Sequence, residues 1–283
     1  MEPPDLMLIL IADTHIQPYP DDRLDGEDTF ANLNAVLDRI ASSGIRPHGF
    51  IFAGDLANDG ELKSYERLAV AVSKVRNSYG VPVAMALGNH DAREPFRTAL
   101  VKCPASTERH NEVVTVGPLR IIILDTLVPG RPYGQLGHDQ LDWLTLQLGK
   151  RAEAGTILVM HHPPSYSGVA ALNHILLMDT ADFHDTIHGT DVIGILAGHV
   201  HHPTAGMFAG VPVWSGPAIA YSLDPCWPGE TFRSITGSGF SIISIRGRTM
   251  VASAVMMPAL QREIAVTPLT PSLIERWLQP PPI

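Results

Sequence analysis

Apolar residues in this chain come in short blocks that stop at an acid, an amide or an imidazole. Leu6–Ala12 stops at Asp13 and His15, Phe50–Ala53 at Gly54-Asp55, and Val81–Leu87 at Gly88-Asn89-His90-Asp91. Thr156–Met160 stops at His161, and Val192–Ala197 at Gly198-His199-Val200-His201. Short apolar runs bounded by Gly or polar residues read as buried strands. The pattern therefore predicts strands whose ends carry polar side chains, with Leu119–Leu124 as one more. Between them the period changes. Phe30, Leu33, Val36, Leu37 and Ile40 lie at helical spacing across Thr29–Ser42, with Asp28 placed as N-cap. Glu61–Tyr79 and Leu136–Lys150 repeat that spacing, Leu172–His188 does so less regularly, and Ala92–Leu100 can follow Asp91 as a capped helix.

Beyond His201 the pattern turns to successive short strands at Met207–Trp214, Phe240–Ile245 and Thr249–Met256, with turns at Gly210-Val211-Pro212 and Arg246-Gly247-Arg248. Strand–helix alternation followed by strands predicts α/β layers, sheet packed on sheet with helices outside. One domain is expected over residues 1–257. Residues 258–283 form a Pro-rich tail, read as a disordered end, an arm on a neighbouring subunit, or a segment packed on the core through Leu273–Leu278.

Composition narrows the function. A chain that is 45% hydrophobic and 17% charged can bury a large core. A net charge of −9 disfavours nucleic-acid polymers, which need a basic surface to displace counterions. Cys103 and Cys226 lack CxxC spacing, so reduced thiols and a cytoplasmic location are expected. No apolar stretch reaches membrane-spanning length, and the N-terminus shows no leader pattern.

Asp, Asn and His gathered at strand ends make a pocket that cations stabilise. Asp13 and His15 are two apart, and so are His199 and His201; in extended backbone such pairs point the same way. Asp55 follows a glycine that lets the chain turn, and a carboxylate can bridge two cations ~3.5–4 Å apart. Asn89 supplies a neutral oxygen. His162 and His202 are expected on the opposite face from their neighbours. His48, His110, His138, His174, His184 and His188 have no ligand spacing. Asp125 ends an apolar run without a partner two residues on and is read as structural. Arg93 and Arg97 either neutralise substrate charge or lie on a solvated helix face, and Asp91 either orients His90 or caps a helix.

The five blocks DxH, GD, GNHD, H and GHxH, in order from Asp13 to His201, resemble those of the calcineurin-like metallophosphoesterase superfamily. The resemblance implies a four-layer αββα sandwich, two central mixed β-sheets flanked by helices. It implies two divalent or mixed iron and divalent ions, Mn, Fe, Co or Zn. Asp13, His15, Asp55 and His201 would hold one, and Asp55, Asn89, His161 and His199 the other, with a hydroxide bridging opposite Asp55 and attacking phosphorus in line. Two divalent ions against two carboxylates and a hydroxide leave about +1, enough to draw a small anionic diester. Asn89 would stabilise the developing charge, and His90 would bind the phosphoryl oxygen or protonate the leaving group.

The departures discriminate within the family. Residue 59 is Asp where Ser/Thr protein phosphatases carry a phosphate-clamping Arg, and residue 58 is Asn where purple acid phosphatases carry an iron-binding Tyr. Met160-His161-His162-Pro163-Pro164, and Gly134-Gln135-Leu136 through Leu144, are instead similar to bacterial class III cyclic nucleotide and glycerophosphodiester phosphodiesterases. Some relatives place a His in the loop after GHxH; Tyr221 stands in that region here, as a substrate contact or as ordinary packing. The expected activity is hydrolysis of a small phosphodiester, cAMP or a glycerophosphodiester. The alternatives are a phosphomonoesterase or nucleotidase, and a non-enzymatic scaffold that would have lost His90. A homodimer or higher homo-oligomer is expected.

Overall fold

The computed structural model describes residues 5–227, 231–258, 263–268 and 270–278. Two large sheets form its centre. The first joins β1 (Leu6–Ile11), β2 (Gly49–Ala53) and β3 (Val83–Ala86) to β12 (Gly239–Arg246) and β13 (Thr249–Met256), in the order β13-β12-β1-β2-β3. The second holds β4 (Glu112–Val116), β5 (Leu119–Ile123), β6 (Thr156–Val159), β7 (Val192–Ala197), β8 (Thr204–Phe208) and β9 (Val211–Ser215), in the order β4-β5-β6-β7-β9-β8. Both are mixed: β1-β2-β3 and β5-β6-β7-β9 run parallel, while β12, β13, β4 and β8 pair antiparallel.

The period-two side-chain alternation of strands builds the layers. In β1, Leu8 and Leu10 face the second sheet and pack with Ile121, Ile123, Ile157 and Val159. Ile9 and Ile11 face outward against α1 (Thr29–Ser42) and α2 (Leu62–Tyr79), through Leu33, Val36, Leu68 and Val72. In the second sheet, Ile122, Leu158 and Ile195 turn outward to Leu141, Leu144 and Phe183. Those belong to α4 (His138–Leu148) and α5 (Thr180–Ile187), numbered after the single-turn α3 (Arg93–Phe96). Strands buried on both faces need unbroken apolar sequence, which is why the runs read as blocks. The αββα sandwich follows.

Helix α1 has the expected bounds, and Asp28 caps it by accepting from Ala31 N–H at 2.9 Å. Three elements depart from the sequence reading. The Leu172–His188 helix is two pieces, a 3₁₀ turn at Ala170–His174 and α5. The segment between them spends its backbone elsewhere: Leu176 C=O accepts from Gly134, Leu177 N–H donates to Pro163 and Met178 N–H to Gly134. Met207–Trp214 is a hairpin of β8 and β9 turning at Ala209-Gly210, both with positive φ (50° and 78°). Pro212 therefore lies within a strand rather than a turn. The Ala92–Leu100 helix is α3 followed by a wider π turn at Arg97–Val101.

A third sheet was not anticipated. It joins β10 (Ser222–Leu223), β11 (Thr231–Ile235) and β14 (Glu263–Pro268), in the order β10-β11-β14. The chain then forms α6 (Pro271–Leu278), whose Leu273, Ile274 and Trp277 pack against Val169, Leu172 and Leu176. Residues 259–262, 269 and 279–283 of the tail lie outside the described residues.

Candidate metal centre

Strands β1, β2, β3, β6 and β7 all point their C-terminal ends at one spot, and the loops leaving them are knitted together. Asp13 N–H donates to Gly54 C=O at 3.1 Å, His15 N–H to Asp55 C=O at 2.9 Å, and Gly198 N–H to His161 C=O at 3.1 Å. Side chains add cross-links: His199 N–H donates to Asp13 Oδ1 at 2.8 Å, and His90 N–H to Asp55 Oδ1 at 2.9 Å. Glycine is required where these loops touch. A Cβ on Gly54 would collide with the His161 ring, and one on Gly88 with the Asp55 carboxylate.

Two groups of donors result. Asp13, His15, Asp55 and His201 each offer one atom, all within 4.8 Å of one another; His161, His162 and His199 form the second group by the same measure. Asp55 reaches both, with Oδ2 3.4 Å from His15 Nε2 and 3.2 Å from His161 Nε2. Asn89 lines the cleft above, its Oδ1 buried without a hydrogen-bond partner.

The imidazoles are aimed. His15 Nδ1 meets Asn58 Oδ1 at 3.1 Å, His161 Nδ1 meets Ala53 C=O at 2.9 Å, and His201 Nδ1 meets Tyr221 C=O at 3.0 Å. An acceptor at Nδ1 fixes the proton there and turns the Nε2 lone pair inward, the arrangement that metal-binding histidines adopt. His15 Nε2 and His201 Nε2 then face each other at 3.2 Å. Asp13 Oδ2 and His199 Nε2 are buried without hydrogen-bond partners. Buried lone pairs converging without donors are costly unless a cation sits among them. The residues present fit a pair of divalent ions.

Electrostatics agrees. Burial holds His15 well below the usual histidine range, and burial holds His199 and His201 at about 3, so all three are neutral and ready to coordinate. Burial would lower His161 too, but the Asp55 and Asp13 carboxylates outweigh it and hold His161 at about 9. Burial pushes Asp13 up to about 7. Burial also opposes ionisation of Asp55, yet His161 and His90 beside it bring its carboxyl well below the ordinary value. The protein thus fixes one proton on the His161–carboxylate cluster, where a cation can replace it.

The expected residues converge, but not through the expected backbone. Asp13, His15, Asp55, His199 and His201 all have positive φ, between 41° and 73°, so the i, i+2 pairs are not extended. Asp, Asn and His tolerate this region better than other non-glycine residues. His162 does not point away either, although its own backbone is not left-handed. Its ring centroid lies 4.5 Å from that of His199, and its Nδ1 is 2.7 Å from Thr126 Oγ1. Gly134 is where the His162 ring needs room, since a Cβ there would strike it. That close approach accounts for a glycine in the 134–144 segment.

Other readings resolve. Asp91 neither orients His90 nor caps a helix. Its carboxylate accepts from the backbone N–H of Leu56, Ala57 and Gly88 at 2.8–3.1 Å and from Tyr65 Oη at 2.8 Å, clamping the two loops that carry Asp55 and Asn89. His90 is instead anchored by Asn58 C=O, 2.9 Å from Nδ1, a role the sequence reading missed. Arg93 pairs with buried Asp125 at 2.8 Å and Arg97 donates to the carbonyls of Glu108 and Arg109, so both brace the fold. Asp125 is structural as expected. The Tyr221 ring lies against His201, centroids 4.4 Å apart, and borders the cleft. Cys103 and Cys226 are free thiols, and among the described residues no helix is long and apolar enough to cross a membrane.

Comparison with known proteins gives the same picture. The calcineurin-like phosphoesterase family profile matches residues 6–203. A Rhodococcus erythropolis protein named a probable cyclic nucleotide phosphodiesterase is 36% identical over 259 residues, covering 90% of this chain and 85% of that one. A Mycobacterium tuberculosis protein named a cAMP/cGMP dual specificity phosphodiesterase is 36% identical over 254 residues, covering 89% and 80%. A dimetal phosphatase structure from Danio rerio superposes with a TM-score of 0.64 at 15% identity, covering 92% of this chain and 99% of that one, a likeness of fold. With the motif blocks at the strand ends and the profile running from the first strand past the last donor, this chain belongs to the calcineurin-like phosphoesterase family.

Proposed function

We propose that this protein hydrolyses one ester bond of a small phosphodiester, a cyclic nucleotide such as cAMP, with two divalent cations in the cage. The observation that carries this is Asp55, whose Oδ2 lies within 3.4 Å of a histidine from each donor group. On this reading Asp13, His15, Asp55 and His201 hold one ion, and Asp55, Asn89, His161 and His199 the other, with Asp55 shared. Mixed oxygen and nitrogen donors suit Mn, Fe, Co or Zn. When bound, such a pair draws in an anionic ester and acidifies water so that a nucleophile exists near neutral pH.

The chain supplies the rest. His90 is exposed on the cleft with Nδ1 tied to Asn58 C=O, which presents Nε2 to the substrate. As imidazolium that nitrogen gives a proton to the departing alkoxide or a hydrogen bond to a phosphoryl oxygen. Asn89 keeps its amide N–H groups for a phosphoryl oxygen. The cleft over the donors is about 220 Å³, a size suited to one small phosphoester.

Its lining favours a diester over a monoester. Among the described residues no lysine or arginine lines it. A diester carries one negative charge and a monoester about two near neutral pH, so a monoesterase would gain more from added cationic side chains. The relatives named as cyclic nucleotide phosphodiesterases support the same substrate class. A homo-oligomer belongs to this reading as well: β13 is an edge strand with Val251 and Met256 exposed. Rates on cAMP, bis(p-nitrophenyl) phosphate and p-nitrophenyl phosphate with added Mn²⁺ test the assignment. Diester turnover should exceed monoester turnover, and the reverse order would make this a phosphomonoesterase.

A further inference from the structure

The cleft over the donors has two unlike sides. One is polar, formed by His15, Asp55, Asn89, His90, His199 and His201. The other is apolar, formed chiefly by Leu172, Ile175, Leu223, Phe232 and Trp277. Phe232 comes from β11 of the third sheet, and Trp277 from α6, so the aromatic part of this wall is built by chain far beyond the last donor.

Trp277 is held in place from two directions. Leu273, Ile274 and Trp277 occupy positions i, i+1 and i+4 of α6, one face of a helix, and join the cluster with Val169, Leu172 and Val200. Thr270 caps the start of α6, accepting from Leu273 N–H at 3.2 Å, and Arg131 donates to the Arg276 carbonyl at 3.3 Å near its end. The indole is half-buried, supported by the cluster and still bordering the cleft.

We propose that Trp277, with Phe232 beside it, is the base-binding wall of this site: the nucleobase of a cyclic nucleotide stacks there while its cyclic phosphate lies over the donors. The inference deepens the cyclic nucleotide reading above and rests on it. An anion at one end and a flat ring at the other match the two sides of the cleft. Stacking on an aromatic side chain tolerates different bases because each has a π face. A glycerophosphodiester has no such ring, so the wall selects nucleotides over glycerol esters. On this assignment Trp277 is a specificity residue that meets the base rather than the reacting atoms.

The test uses the full chain loaded with Mn²⁺ and two substrates, cAMP and methyl riboside 3′,5′-cyclic phosphate, which lacks a base. The wild-type protein should prefer cAMP in kcat/KM. Trp277→Ala should lower the ratio of kcat/KM for cAMP to that for the base-free diester about tenfold, mainly through KM, and Trp277→Phe should restore most of it. If the alanine variant does not fold, Trp277→Leu keeps apolar packing without a π face and carries the same expectation. An unchanged ratio, or an equal loss on both substrates, overturns the proposal. Equal wild-type rates on the two cyclic diesters also overturn it while leaving the diesterase reading intact. If the wild-type protein cleaves bis(p-nitrophenyl) phosphate but neither cyclic diester, the cyclic nucleotide reading fails and the wall falls with it.

Discussion

Asn58 and His90 meet through the main chain: the Asn58 carbonyl accepts from His90 Nδ1 at 2.9 Å, while the Asn58 side chain holds His15 Nδ1 at 3.1 Å. One residue thus orients two histidines of different proposed roles by two separable groups. The separation makes the roles measurable. Asn58→Ala removes the amide that aims His15 and leaves the carbonyl that aims His90. Metal affinity should fall about 10- to 100-fold, as for other residues that orient a ligand. At saturating Mn²⁺ kcat should stay close to that of the parent, because the carbonyl that aims His90 remains. Metal titration followed by kcat at saturating Mn²⁺ checks both halves.

His90 itself is offered as an acid or phosphoryl contact, outside both donor sets. His90→Ala should retain two ions per chain by elemental analysis and lose about 10²- to 10⁴-fold in kcat. Normal turnover in that variant would remove His90 from the mechanism.

Asp55 brings one oxygen within 3.4 Å of an inward-facing Nε2 of each group, whereas Asp13 meets the second group only at the Nδ1 edge of His161, at 3.9 Å. Asp55→Ala should therefore lower metal content more than His15→Ala or His199→Ala, each of which removes a donor from one ion only. Two tightly held ions in Asp55→Ala would contradict sharing.

The Asp91 clamp predicts a loss of both stability and activity. Asp91→Ala leaves the N–H groups of Leu56, Ala57 and Gly88 and the Tyr65 hydroxyl without their acceptor. Unsatisfied buried donors cost about 1–3 kcal/mol each, moderated where water enters. A loss of about 3 kcal/mol in denaturant unfolding is expected, with weaker metal binding because the Asp55 and Asn89 loops separate. An Asp91→Ala protein as stable as the parent would show that the clamp is dispensable.

Metal binding should release protons in a pH-dependent way. In the cation-free protein His161 is held at about 9 and Asp13 at about 7. At pH 8 the main proton displaced is that of His161; toward pH 6 Asp13 adds another; above pH 10 release fades. Titration calorimetry in buffers of different ionisation heat reads this directly. The stability of the cation-free protein should follow. A histidine whose folded pKa is raised from 6.5 stabilises fully below pH 6.5 and loses that contribution as pH rises through 9. Asp13, raised from 3.8 to about 7, likewise favours the folded state less as pH climbs from 4 to 7. Buried His15, His162, His199 and His201 act the other way, because their lowered pKa values penalise the fold below pH 6.5. Without metal, melting temperature should therefore rise from pH 4 to about 6.5 and decline from there to pH 9, and the decline should be much smaller with metal.

Much of this molecule was legible before its structure because the relevant information is local. Fully buried strands must be apolar throughout, and the donors sit immediately after them, so the runs ending at Asp13, Asp55, Asn89, His161 and His199 marked the site. The bounds of α1 followed from spacing and the Asp28 cap. What failed depended on backbone sign or on distant partners. Extended geometry was assumed for Asp13-Thr14-His15, whereas left-handed residues bring those side chains together, and the same assumption sent His162 to the wrong side. The Leu172–His188 segment is broken by bonds to Gly134 and Pro163, which no local pattern announces. The apolar wall at Phe232 and Trp277 depends on a third sheet and a terminal helix whose contacts span much of the chain.

The left-handed backbone at Asp13, His15, Asp55, His199 and His201 reaches beyond ligand geometry. Each such residue holds about 1–3 kcal/mol of conformational discomfort that the surrounding loops must overrule. Selection for hardiness alone would replace these five with glycine and relax the chain. Their presence at the strand tips makes this fold a cocked device, whose resilience and whose usefulness pull in opposite directions at the same few peptide units.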